Sequence, residues 1–238
     1  KNWAMVIGIN QYDNLQPLQY AQRDAQSMRD YFLDEVNFQQ VYYFAADAPA
    51  IPADSGNPLS AQPTYGVLKR FLRVRFDKPF LNPGDNFWFF FAGHGTRYEE
   101  RDYLMLNDSD YGNVGETAIS MQYVTERLRR CGADNVVLLV DACRSQGRRD
   151  GMGMSMEKQQ GVITIFSCSP SQYSYEIDQL QQGAFTYALL EGLRIQGEGN
   201  CATVERLCHH LRHRVPQLTQ QYRQCLQNPY PMVEPARK

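Results

Sequence analysis

The 238-residue sequence predicts an α/β fold built on a largely parallel sheet. Two observations carry that expectation. Short apolar runs rich in β-branched and aromatic residues alternate along the chain with stretches whose apolar residues recur at helical spacing. Two of the runs, residues 86–92 (Asn-Phe-Trp-Phe-Phe-Phe-Ala) and 135–140 (Asn-Val-Val-Leu-Leu-Val), carry almost no polar side chain, as strands covered on both faces do.

Taken in order, residues 4–9 read as a first buried strand. Residues 19–34 read as a helix, with Tyr20, Ala21, Ala25, Met28 and Phe32 along one side. Residues 41–45 are a second strand. A loop rich in Pro, Ala, Ser and Gly spans 49–63, after which Thr64 is expected to cap a helix carrying Val67, Leu68, Phe71 and Leu72. Residues 86–92 are the third strand and 103–106 a short edge strand; 120–130 read as a helix and 135–140 as another buried strand. Residues 147–160 follow neither period and are expected to form a mobile, cleavable joint. A strand at 162–168, helices at 184–194 and 203–226, and an extended, proline-punctuated tail at 228–235 complete the chain. The prolines argue for poor pairing at that edge. No repeat and no linker divides two cores, so one domain is expected over 1–238.

Composition narrows the function. With 24 basic and 26 acidic residues the net charge is −2, which offers none of the basic field that nucleic-acid binding draws on. No uninterrupted apolar run exceeds six residues, as in 87–92, whereas a bilayer span needs about 20, so no membrane segment is expected. Residues 1–10 do not read as a signal peptide. The six cysteines (131, 143, 168, 201, 208, 225) form no CxxC pair and no dense framework, which favours a reducing, cytoplasmic setting.

In open α/β sheets the working crevice lies at the carboxyl ends of the strands. Two such ends stand out. The third strand runs into Ala92-Gly93-His94-Gly95-Thr96, a histidine between glycines where the chain is expected to turn sharply. The strand from residue 135 runs into Asp141-Ala142-Cys143-Arg144-Ser145, which places a thiol beside a carboxylate. A free thiol is only a few per cent ionised at neutral pH, and a neighbouring imidazole that takes its proton makes it a nucleophile. The backbone N–H groups of Gly95 and Cys143 are candidate oxyanion donors. Taken singly, each residue has a plainer reading, as a small buried hydrophobe or a hydrogen-bonded structural histidine. Their coincidence at two strand exits favours chemistry.

At these residues the sequence resembles the caspase-like cysteine peptidases, and among them the metacaspase and orthocaspase type found in prokaryotes. A caspase signature is Gln-Ala-Cys-x-Gly with its histidine about 50 residues upstream; here the element is Asp141-Ala142-Cys143-Arg144-Ser145, and His94 lies 49 positions before Cys143. The resemblance extends to residues 4–9, to Gln22-Arg23-Asp24-Ala25, to Phe166-Ser167-Cys168-Ser169-Pro170 with Ser174-Tyr175-Glu176, and to Gly183-Ala184-Phe185-Thr186. It implies a caspase-like sandwich, a mostly parallel six-stranded sheet with helices on both faces. It also implies a division into a large-subunit-like part (1–146) with His94 and Cys143, a processing segment (147–160) and a small-subunit-like part (161–238).

Caspases place a Gln two residues before the nucleophile. Asp141 stands there in this chain, as in metacaspases, and Asp24 matches their second pocket acid. Periodicity alone reads Asp24 as an exposed helix charge. Together the two acids imply cleavage after Arg or Lys. Ala92 replaces a serine that often lines the pocket in metacaspases, and Tyr175 and Glu176 are expected to line the groove. Many metacaspases need calcium; Asp108 and Asp150 match that pattern, but Ser120-Met121 replaces an acidic pair, so the calcium site is expected to be crippled and no cofactor is expected. Arg144, Arg148, Arg149 and Lys158 are candidate positions for self-processing. The alternative is a silent caspase-like scaffold that binds partners, but such proteins lose the His or the Cys. A monomer acting on peptide or protein substrates is expected. Cys208-His209-His210-x-x-His213 reads as a polar helix face rather than a metal cluster.

Overall fold

The computed structural model describes residues 1–53, 56–144, 161–170, 172–195 and 204–233, with the backbone alone at 143, 144 and 233. The chain opens with strand β1 (Asn2–Gly8), helix α1 (Ala21–Asp30) closed by a π-turn (Tyr31–Glu35), and strand β2 (Gln40–Phe44). Helix α2 (Tyr65–Arg75) precedes β3 (Asn86–Tyr98) and β4 (Arg101–Leu104). A short α3 (Val114–Thr117), β5 (Ile119–Ser120), α4 (Met121–Arg129) and β6 (Asn135–Arg144) follow. The remainder comprises β7 (Val162–Phe166), the small ribbon β8 (Glu176–Ile177) and β9 (Gln182–Gly183), α5 (Ala184–Arg194), α6 (Val204–Arg223) and β10 (Tyr230–Val233).

One sheet organises the molecule, in the order β10-β7-β6-β3-β1-β2, with β4 and β5 appended beside β3. The pairs from β7 through to β2 are parallel; β10 is antiparallel to β7. The aromatic run explains why β3 is central. Phe87, Phe89 and Phe91 enter the core formed with α2 and α4, and Phe90 and Ala92 enter the opposite core formed with α1, α5 and α6. Each fully buried Phe is worth about 2 kcal/mol. A one-residue slip would exchange the two sets, so the register is fixed.

Several boundaries differ from those read in the sequence. Strand β3 does not turn at Gly93-His94-Gly95 but stays extended to Tyr98, and β6 continues through Asp141 to Arg144. Polar side chains end the apolar pattern there, yet pairing between the two backbones persists as far as Gly95 opposite Arg144. The short strand lies at Arg101–Leu104 rather than 103–106, where it pairs antiparallel with the end of β3. Thr64 precedes α2 without a side-chain cap; the Asp108 carboxylate accepts the Tyr65 N–H instead, at 2.8 Å. The tail pairs after all. Residues Tyr230–Val233 run along β7, with Pro231 opposite Ile165, because an outer strand has one edge on which a missing N–H costs the ladder nothing. Residues 145–160, including the segment read as a joint, lie outside the described residues.

Candidate active site

The register of β3 on β6 sets His94 beside Cys143 as paired residues. His94 is 6% exposed. Its backbone N–H donates to the Tyr12 hydroxyl at 2.8 Å, and the Tyr12 ring lies 4.8 Å from the imidazole, centroid to centroid. Gly93 serves that approach rather than a turn: a Cβ there would meet the Tyr12 hydroxyl at 2.6 Å. The His94 Nε2 lies 2.7 Å from the Gln16 carbonyl oxygen. A carbonyl only accepts, so Nε2 carries the proton and, in the neutral ring, Nδ1 is the basic nitrogen. That Nδ1 is buried and has no hydrogen-bond partner among the described residues. Burial pushes the His94 pKa below its ordinary value, opposed by the Gln16 carbonyl and the Glu176 charge, so the ring is neutral at neutral pH.

Two residues before Cys143, on the face packed against α1 and α5, β6 presents Asp141. Asp24 reaches the same point from α1. Both are nearly fully buried, with Asp24 2% and Asp141 7% exposed. The Ser174 and Thr186 hydroxyls each donate to Asp141 at 2.7 Å. The Gly183 N–H donates to the Asp24 carboxylate at 3.0 Å. Burial raises the pKa of Asp24 well above the ordinary value, with the Asp141 charge adding to it. Asp141 is also raised by burial, which its two hydroxyl donors oppose. Neither acid has an ion-pair partner among the described residues. They line a small pocket together with Ala92, Tyr175, Glu176 and Gly183.

The local chain explains the geometry. Asp24 sits in the first turn of α1, whose preceding N–H groups, Gln19 and Tyr20, donate to the Glu176 carboxylate at 3.0 and 2.7 Å. Glu176 thus ties the β8–β9 ribbon to the helix that bears Asp24. Tyr175 is held by its N–H, which donates to the Gln227 side chain at 3.0 Å. Gly183 is required by close approach, since a Cβ there would lie 2.7 Å from one Asp141 oxygen and 2.8 Å from one Asp24 oxygen. Gly183→Ala is therefore expected to displace both carboxylates and lower kcat/KM tenfold or more on a substrate that uses them. Circular dichroism should show the variant folded; unchanged kinetics would refute this role.

The sequence assigned no role to the residues that hold the acids and the imidazole: Gly183, Ser174 and Thr186, which stood only within matching blocks, and Tyr12 and Gln16. Other candidates separate. His210 turns inward to the Ala188 carbonyl at 3.0 Å, while the His209 and His213 rings pack on one another at 4.4 Å. Cys131, Cys168 and Cys208 are buried and Cys225 is half-buried. Of the calcium-pattern residues, Asp108 is spent on α2, Ser120 accepts the Tyr123 N–H at the start of α4, and Met121 is core. Among the described residues no cluster of three His, Cys, Asp or Glu side chains could hold a metal ion. Asp150, Arg148, Arg149 and Lys158 lie outside the described residues; Arg144 ends β6. Among the described residues no helix is long and apolar enough to cross a membrane.

The chain is similar to several known proteins. A probable protease of a Desulfuromonadales bacterium is 28% identical over 221 residues, 84% of this chain, and the chain spans about a quarter (26%) of that protein's length. A Geobacter sulfurreducens protein of known structure superposes with a TM-score of 0.66 at 16% identity, covering 100% of this chain and 95% of its own. Caspase-1 of Spodoptera frugiperda superposes at 0.62 with 13% identity, covering 99% and 87%. These structures share the fold. The family model for the caspase domain (peptidase C14) matches residues 1–236, so the chain belongs to the caspase domain family of peptidases.

Proposed function

We propose that the domain is a cysteine endopeptidase that cleaves after Arg or Lys, without a calcium requirement. The observation that supports it most is the buried, unpartnered Nδ1 of His94, on a ring oriented through Nε2, in register with Cys143. In this reading the Cys143 sulfur adds to the substrate carbonyl carbon as its proton passes to Nδ1. The N–H groups of Gly95 and Cys143 receive the oxyanion. Collapse breaks the C–N bond, and the amine leaves with the proton from His94. Water then attacks the thioester, giving a proton to His94, and the thiol departs with that proton restored.

The pocket sets the choice of substrate. Two buried acids with no cationic partner among the described residues suit a guanidinium or ammonium group. A substrate carboxylate placed about 4 Å from one of them is disfavoured by roughly 4 kcal/mol at the effective dielectric of a protein surface, about a thousandfold. The same preference makes Arg144, Arg148, Arg149 and Lys158 the candidate self-cleavage positions. A panel of fluorogenic peptides ending in Arg, Lys or Asp, assayed in chelator and in calcium, tests the reading. Hydrolysis after Arg and Lys under both conditions is expected. Hydrolysis only after Asp would overturn the pocket assignment, and activity lost in chelator and regained with calcium would overturn the metal independence.

A further inference from the structure

Gln227, in the segment that joins α6 to β10, is 0% exposed. A glutamine gives up rotamer freedom and hydration on burial, so its amide is kept inside only where both ends are bonded. The Gln227 Oε1 accepts the Tyr175 N–H at 3.0 Å, and Nε2 donates to the Ser167 carbonyl oxygen at 2.8 Å and to the Ser174 hydroxyl oxygen at 3.2 Å. A main-chain N–H only donates and a main-chain carbonyl only accepts, so these two partners fix which end of the amide carries the oxygen. Ser174 and Tyr175 line the acidic pocket, and Ser167 directly follows β7, the strand paired with the one that bears Asp141. The next residue is tied to the same loop. The Asn228 N–H donates to Gln172 Oε1 at 2.7 Å, and the Ser169 hydroxyl donates to the Asn228 carbonyl at 3.1 Å.

We propose that Gln227 is a positioning residue for recognition of the basic side chain: it commits the single proton of the Ser174 hydroxyl to Asp141 and holds Tyr175 in the pocket lining. The inference rests on the peptidase reading above and deepens it. A serine hydroxyl has one proton to give. With the Gln227 amide donating to Ser174 Oγ, that proton is directed to Asp141 Oδ1, 2.7 Å away. The bond favours the ionised carboxyl, the form that holds a guanidinium, and opposes the burial that raises the Asp141 pKa. The ionisable groups around Asp141 are Asp24 from α1, Glu176 from β8 and His94 from β3, while α5 supplies the Thr186 hydroxyl. Without the amide, the Ser174 hydroxyl is no longer committed to the carboxylate and the Tyr175 N–H loses its acceptor.

Arg-peptide kinetics of Gln227→Met across about pH 4–9 test this, with circular dichroism to establish folding. KM is expected to rise about fivefold with kcat within about twofold of wild type. The part of the acid limb that appears in kcat/KM and not in kcat should move up by about half a pH unit or more. Ser174→Ala should move that limb likewise, and Gln227→Met added to Ser174→Ala should move it no further, because the two residues act in series. A second measurement leaves Gln227 in place. In 15N-labelled Cys143→Ala chain, the nuclear magnetic resonance signals of the Gln227 side-chain amide should titrate with the midpoint of the same limb. With cleavage after Arg intact in the wild type, an unmoved limb in Gln227→Met, additive shifts in the double variant, or amide signals flat across that range would each overturn this inference alone. No cleavage after Arg by the wild type would overturn the peptidase reading and this inference with it.

Discussion

Asp24→Asn is expected to raise the melting temperature of the domain while removing the proposed hydrolysis after Arg. The wild-type carboxyl is buried near Asp141, and burial and that charge both raise its pKa above the ordinary value of 3.8. For a raised carboxyl pKa the folded state binds more protons than the unfolded state. The carboxyl's stabilising contribution is therefore complete below about pH 3.8 and is lost as pH rises through the folded-state pKa. Above that folded-state pKa the wild type is left with an uncompensated acidic pair. An amide removes one of the charges, keeps an oxygen for the Gly183 N–H and offers a donor toward Asp141. Replacing buried charge in this way typically gains about 1–2 kcal/mol, or roughly 2–8 °C in a domain of this size. Loss of the carboxylate partner for the guanidinium should cost about a hundredfold or more in kcat/KM. Thermal melts at pH 7.5 and pH 4, with Arg-peptide kinetics, check both halves. A destabilised variant at neutral pH, or one with full activity, would refute the assignment.

Cys143→Ala and His94→Ala should each lower hydrolysis by about 10⁴-fold or more, because the proposed mechanism uses the thiol and the imidazole as one unit. The pH profile distinguishes their roles. In the proposed mechanism neutral imidazole accepts the proton, so kcat is expected to rise as pH rises through the His94 pKa, and burial places that rise below the ordinary 6.5. The ratio kcat/KM loses more on the acid side, since the pocket acids must be ionised to hold the substrate cation. Electrophoresis supplies a second readout. Wild-type chain should separate into two fragments during incubation and Cys143→Ala should remain whole; fragments from both would mean that another protease cuts it.

Much of the fold was legible because buried strands and amphipathic helices write their periods into the sequence. The runs at 86–92 and 135–140 mark the two central strands, and 184–194 coincides with α5. Strand ends were not legible. Pairing through Gly93-His94-Gly95 and Asp141-Cys143 is a property of two backbones in register, and the polar side chains there conceal it. Asp24 was visible only by family resemblance, since a lone acid in the first turn of a helix is ordinarily exposed. The Gln16 contribution left no trace at all: a main-chain carbonyl orients the imidazole, and any residue type supplies one. Gly183 did appear in a matching block, but why a side chain is excluded there emerges only when two carboxylates arrive from distant positions.

The pocket draws Asp24 and Asp141 from one side of residues 145–160 in the chain, and Ser174, Glu176, Gly183 and Thr186 from the other. The Glu176 anchor on the start of α1 and the parallel pairing of β7 on β6 bind those two portions across 16 intervening residues. The pocket is therefore a shared property of two polypeptide halves. Scission between them would leave a complementing pair whose members form the proposed basic-residue pocket together, and neither half carries its complete lining.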